Sequence, residues 1–251
     1  MKTLIRVGVF YGITFVFTII LAILQQALGL DAEKIVLAQF GPGLAALVMV
    51  MVFRGDNVKI TIALKRIPFL KCLGAISIPI VVSIILFLVY SHFISPISVP
   101  LTNITSLTIM LVGMLLGAFG EELGWRGYLQ SGLSRRLNGL IAFLLVGVLW
   151  GLWHVGNYQN GPIYVLFFVL STIGYSAVMA WLLQGTNYNV VLACLFHFAV
   201  NAGFYILRDA LADSRLIALN GFVWIGAAVI IVAFIRKDFL QFRKKKTDTQ
   251  P

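Results

Sequence analysis

The chain has 251 residues, of which 60% are hydrophobic and only 11% charged, and its formal net charge is +10. Soluble domains carry about a quarter charged residues, so this composition excludes one and marks an integral membrane protein. The positive surplus is distributed as a topology signal beside apolar runs and gives no support to nucleic-acid binding.

In chain order, apolar runs long enough for a core of about 30 Å fall at 4–24, 35–53, 72–94, 104–121, 139–155, 163–183, 189–207 and 217–235. The expected fold is therefore all-α: a polytopic bundle of about eight transmembrane helices, forming a single domain over 1–251 with its motif core at 113–201. The first run is preceded by Lys2 and Arg6 but is too long for a signal-peptide core and is followed by no cleavage site, so it reads as a span. With the N-terminus in the cytoplasm, Lys and Arg divide 16 inside against 3 outside (Lys34, Arg208 and Arg215), which predicts that both termini are cytoplasmic. The cluster Arg243-Lys244-Lys245-Lys246 beside the last run suits anionic lipid headgroups. These features together predict a multi-pass protein of the plasma membrane.

In the second run Gly41-Pro42-Gly43 predicts a kink. Cys72 and Cys194, in separate apolar runs without a Cys-x-x-Cys pattern, read as inert buried thiols. His92, at the end of the third run with no polar companion at helical spacing, reads as interfacial.

The fourth run bears Gly113, Gly117, Gly120, Gly124 and Gly127, spaced 4, 3, 4 and 3, a stripe that lets a neighbouring helix approach. The fifth bears Gly147 and Gly151 on the face of His154, and the polar turn Ser134–Gly139 joins the two as an antiparallel hairpin. Reflecting one helix on the other aligns Gly124 with Gly151, Gly127 with Gly147, and Glu121 with His154. That register predicts Glu121 and His154 at one depth, sharing a hydrogen bond or one water.

All carboxylates inside the apolar body lie at Glu121-Glu122, and ionisable groups at membrane depth are costly enough to mark a site. Glu122 and Arg126 stand at i and i+4 with the acid first, the favoured order for an ion pair. Glu121 points about 100° away on the helical wheel without a local cation, which makes it the candidate general base. Trp150 and His154 share a helical face, with the indole placed to wall the site from lipid. His197 and Asn201, also four apart, offer hydrogen-bond donors suited to an oxyanion developing on a carbonyl. The set holds a base, a proton shuttle and an electrophile, although a buried histidine taken singly is usually a packing residue.

Three ordered elements now resemble a known family. Glu121-Glu122-Leu123-Gly124-Trp125-Arg126 matches the E-E-x-x-x-R pattern of the CPBP intramembrane proteases, which include type II CAAX prenyl endopeptidases, lysostaphin-resistance-like and bacteriocin self-immunity proteins. Trp150-x-x-x-His154 stands where that family shows F-x-x-x-H, and His197-x-x-x-Asn201 matches H-x-x-x-N/D. The resemblance implies an endopeptidase acting near the cytoplasmic side, with Glu121 activating water with help from His154, and with His197 and Asn201 stabilising the oxyanion. It implies a peptide or protein substrate, lipidated in part of the family; no cofactor is expected, because the chain has no His-Glu-x-x-His helix and Asn201 is a poor zinc ligand. Two alternatives stay open: a zinc protease with His154, His197 and Glu121 as ligands, and a non-catalytic immunity or binding protein using the same cavity. A transporter ranks below both, for want of an inverted repeat.

Overall fold

A computed structural model describes residues 2–53, 58–64, 67–99 and 102–234, with Lys2 described in its backbone only. Among these residues the structure is helical and contains no strand. The principal helices are α1 (Lys2–Ala27), α2 (Gly41–Val52), α3 (Phe69–Phe93), α4 (Ile104–Glu122), α5 (Gly139–Trp153), α6 (Pro162–Leu182), α7 (Val190–Ile206) and α8 (Ser214–Phe234). Each falls on one of the eight apolar runs. The basic positions Arg54, Lys65, Arg66 and those from Arg236 onward, including the Arg243–Lys246 cluster, lie outside the described residues.

Among the described residues, five helices are long and apolar enough to cross a membrane: α1, α3, α4 with its continuation to Leu133, α6 and α8. The stretches Leu37–Val52, Gly139–Trp153 and Val190–Ile206 are apolar but shorter. At 1.5 Å per residue, even the 17 residues of α7 reach only about 26 Å. The shortening of α5 has a local cause, because His154 leaves the helical region with φ −76° and ψ 60°. The protein is a multi-pass membrane protein, and its lipid-facing girdle is apolar: Leu4, Leu70, Phe93, Ile104 and Phe234 are each at least 71% exposed.

Side-chain caps mark where several helices begin. Asn103, Asn138 and Asn189 accept from the backbone N–H of Ser106, Ile141 and Val191, satisfying donors that the first turns of α4, α5 and α7 leave unpaired. In the turn before α7, Gly185, Asn187 and Tyr188 take positive φ, so the chain reverses within a few residues. The expected turn between α4 and α5 is present, closing on Asn138.

The glycines pack differently from the hairpin register. A Cβ on Gly113, Gly117, Gly120 or Gly124 would strike Lys34, Gln39, Phe40 or Pro42, so the α4 stripe faces the turn Leu37–Phe40 and the start of α2. Gly147 and Gly151 face α6, where a Cβ would meet Ile173 at 2.6 Å and Thr172 at 2.5 Å. The predicted pairing of Gly124 with Gly151 therefore does not form; each stripe admits a different neighbour. Nor is Gly41-Pro42-Gly43 a mid-helix kink. Leu37–Phe40 is a 3₁₀ turn, and Pro42 sits at the start of α2, where its missing N–H is harmless.

From Leu123 to Gln130 the α4 axis continues as a π-helix and returns to α-helix at Ser131–Leu133. This insertion packs against α2, α5 and α7. It begins one residue after Glu122, so the wider turn coincides with the carboxylate pair.

Candidate active site

The end of α4 places Glu121 and Glu122 in the bundle interior, 1% and 0% exposed. The two part company there. Glu122 Oε1 accepts from Arg126 Nη1 at 2.9 Å and from His197 Nδ1 at 2.8 Å, with all three side chains at most 4% exposed. Arg126 also donates from Nη2 to Ser176 Oγ on α6 at 3.0 Å, and its guanidinium lies 4.3 Å from the centroid of the Trp150 ring. The predicted Glu122–Arg126 pair is present, and α7 closes it from the other side.

Glu121 is held by neutral donors. Gln39 Nε2 donates to Oε1 at 2.9 Å and Trp150 Nε1 to Oε2 at 2.7 Å. Each bond orients one carboxylate oxygen, and neither donor is a cation. Trp150 is thus more than a wall: it is 2% exposed, its N–H binds one glutamate, and its face receives the arginine that binds the other. Its ring also meets His197 edge-on at 5.1 Å and His154 at 6.0 Å. A phenylalanine, the residue of the matching family element, has no N–H to offer Glu121.

His154 shares this cluster, as expected, but makes no direct hydrogen bond to Glu121. Its Nδ1 lies 2.8 Å from the Trp150 carbonyl, so Nδ1 carries the hydrogen and donates, because a carbonyl only accepts. Nε2 is left with its lone pair. The physical reason is the end of α5: Trp150 O has lost its intrahelical donor, and the His154 ring folds back to satisfy it. Glu121 consequently faces Trp150, one turn short of the expected partner. Asn201 lies one turn beyond His197 on α7, half-buried.

Sequence reasoning missed Gln39 and Ser176. Gln39 left a signal, as a polar residue inside an apolar run directly before Gly41-Pro42-Gly43. Ser176 left a weaker one, sharing polar positions 171, 172 and 176 on an otherwise apolar helix.

Among the described residues, no three His, Cys, Asp or Glu side chains gather as a metal set. Both oxygens of Glu121 and one nitrogen of each histidine are already engaged in the bonds above. Of the donors of the zinc alternative, Glu121 is engaged at both oxygens, whereas His154 and His197 are engaged at Nδ1 alone. Cys72 and Cys194 are free thiols, half-buried and buried, and His92 is exposed at the end of α3.

Comparison with known proteins falls on this same region. Residues 103–203 match the family described as type II CAAX prenyl endopeptidase Rce1-like. This segment is similar to that family. The match runs from the cap of α4 to the end of α7 and contains all three motifs, bearing out the resemblance they carried. Lysostaphin resistance protein A of Staphylococcus epidermidis is 29% identical over 241 residues, 91% of this chain and 62% of the relative. The protein of that name from Staphylococcus aureus (strain Newman) is 26% identical over 242 residues, 90% of this chain and 55% of the relative. CAAX prenyl protease 2 of Methanococcus maripaludis is 32% identical over 148 residues, 55% of this chain and 54% of the relative. The chain thus spans less than two thirds of the length of these relatives. Gln39 lies outside the Rce1-like segment, so the hydrogen bond it makes to Glu121 is supplied from elsewhere in the bundle.

Proposed function

We propose that this protein is an intramembrane endopeptidase that hydrolyses a peptide bond with water activated by Glu121. The observation that carries the proposal is the unequal pair: Glu122 is consumed by Arg126 and His197, whereas Glu121, equally buried, is oriented by two neutral donors. A carboxylate held this way is fixed in direction without being tied into an ion pair, as a general base requires.

In the proposed reaction Glu121 takes a proton from water as the oxygen bonds to the scissile carbonyl carbon, and the carbonyl electron pair moves onto oxygen. Asn201 and His197 donate to that oxyanion; with Nδ1–H directed at Glu122, His197 donates from Nε2 as imidazolium. Collapse re-forms the carbonyl and breaks the C–N bond. The proton held by Glu121 passes through the free Nε2 of His154 to the departing nitrogen, and one water is consumed. No metal or other cofactor enters this sequence.

The Rce1-like segment supports peptide hydrolysis, and the name CAAX prenyl protease 2 makes a lipidated Cys-a-a-X tail one substrate class to assay. We place the reaction in the plasma membrane, near its cytoplasmic side, with both termini cytoplasmic and the motif core at 113–201, in keeping with the distribution of Lys and Arg. The Arg243–Lys246 cluster would then meet anionic headgroups.

The test is comparative membrane proteomics of wild-type and Glu121→Ala cells. A set of peptide termini present in the wild type should vanish in the variant, with the uncut precursors accumulating. Identical sets of termini would overturn the proposal. Because two relatives are named for lysostaphin resistance, a resistance phenotype is a second readout. Its retention by Glu121→Gln would favour the binding reading over catalysis.

A further inference from the structure

Six buried side-chain polar atoms among the described residues have no hydrogen-bond partner, and four of them form a row. Glu122 Oε2, Arg126 Nε, Gln130 Oε1 and Ser134 Oγ recur every four residues along the continued α4 axis. Glu122, Arg126 and Gln130 are 0%, 0% and 1% exposed. A buried polar atom without a partner is costly, and native proteins normally meet that cost with ordered water.

The π-helix explains why the four atoms line up. In an α-helix of 3.6 residues per turn, each step of four overshoots a full turn by roughly 40°, so three steps would wind about 120° around the axis. A π-helix closes i→i+5 and takes roughly 4.4 residues per turn, so each step falls about 33° short. Here the first two steps lie in the π-helix and the third in the α-helical turn that follows. The drifts nearly cancel, leaving about 25° between Glu122 and Ser134. The row runs at most about 18 Å, from the carboxylate pair to the turn bearing the exposed Arg135 and Arg136.

We propose that this row binds a file of water molecules that links the polar helix end to the buried site and supplies the water consumed there. The supply role rests on the hydrolytic reading of the site; binding of the water file does not. Glu122 and Arg126 belong to the site already described, whereas Gln130 and Ser134 have no part in it. Their role is to conduct and position water. Each bond cleaved demands one water, and the hydrocarbon around the bundle holds none.

Two measurements test this. The first is a structure of the purified protein in a lipid nanodisc, at a resolution that shows ordered water. Density is expected within hydrogen-bond distance of Glu122 Oε2, Gln130 Oε1 and Ser134 Oγ, whether or not the protein cleaves peptides. A dry row, with those atoms packed against apolar groups, would overturn the water file. The second compares Gln130→Met, Ser134→Ala and the double variant with wild type on a substrate peptide identified by the proteomics. The expected result is kcat lowered about tenfold in the double variant, with KM and melting temperature nearly unchanged. A wet row with unaltered kcat would overturn the supply role, and loss of melting temperature in step with kcat would show a structural role instead. If the wild type cleaves nothing, the hydrolytic reading and the supply role fall together, while the density still decides the file.

Discussion

The Glu122→Gln substitution bears most directly on the division between the two glutamates. In the wild type, one oxygen of Glu122 serves both Arg126 and His197 at 2.8–2.9 Å in surroundings closed to solvent. Glutamine keeps the shape and one acceptor but removes the charge, leaving the Arg126 guanidinium in contact only with neutral groups: the amide oxygen, Ser176 and the Trp150 ring. Breaking a buried pair costs about 3–5 kcal/mol, and the cation–π contact offsets up to about 2 kcal/mol of the exposed charge only if it strengthens. Because that contact is already made in the wild type, a loss of about 3 kcal/mol remains the expectation. For a domain of this size, 1 kcal/mol moves Tm by roughly 2–4 °C, so Glu122→Gln should melt about 6–12 °C below wild type. Glu121→Gln loses one hydrogen bond from a neutral donor to a charged acceptor, about 1.5 kcal/mol and roughly 3–6 °C, and abolishes turnover. The assay is thermal unfolding in detergent beside peptide cleavage. Equal melting temperatures for the two variants would refute the reasoning, and so would an active Glu121→Gln enzyme.

Trp150→Phe keeps the aromatic packing and deletes the N–H that orients Glu121, so kcat should fall about 10- to 100-fold, the worth of one charged hydrogen bond, while the protein remains folded by circular dichroism. Asn201→Ala should lower the rate by about 10²–10³ if the carboxamide serves the oxyanion. In the same preparation, activity should survive exhaustive chelation, with zinc below stoichiometric by elemental analysis; activity restored only by added metal would establish the zinc alternative. At the opposite end of the bundle, Asp213 caps α8 through Arg215 N at 2.8 Å, accepts from Tyr90 Oη at 2.5 Å and is held well below the usual carboxylate range chiefly by the Arg215 side chain. A depressed folded-state pKa stabilises above the unfolded value of about 3.9 and is lost as pH falls through the folded value. Asp213→Ala should therefore lower Tm by a few degrees at pH 7, about 1 kcal/mol for a lost cap, with the gap narrowing as a melting series descends below about pH 4. A gap independent of pH would show that the charge of Asp213 contributes nothing.

The sequence determined the membrane class and the eight apolar helices, and it marked the polar residues that the fold gathers around Glu121 and Glu122. Each of these follows from local composition: a run of apolar residues in lipid must close its own backbone hydrogen bonds and become helix. The pair Glu122–Arg126 was equally legible, because spacing along one helix sets that contact. Only the tertiary structure decided who meets whom between helices. Glycine stripes announce that something approaches closely but not which helix it is, so the α4 stripe went to the Leu37–Val52 stretch and the α5 stripe to α6. Gln39 reaches Glu121 across 82 positions, and Trp150 intervenes between Glu121 and His154, because packing chose a register one turn away from the hairpin symmetry. The π-helix after Glu122 left no mark in composition or periodicity. It is a response of the chain to its neighbours, and it aligns the polar row that leads out of the site.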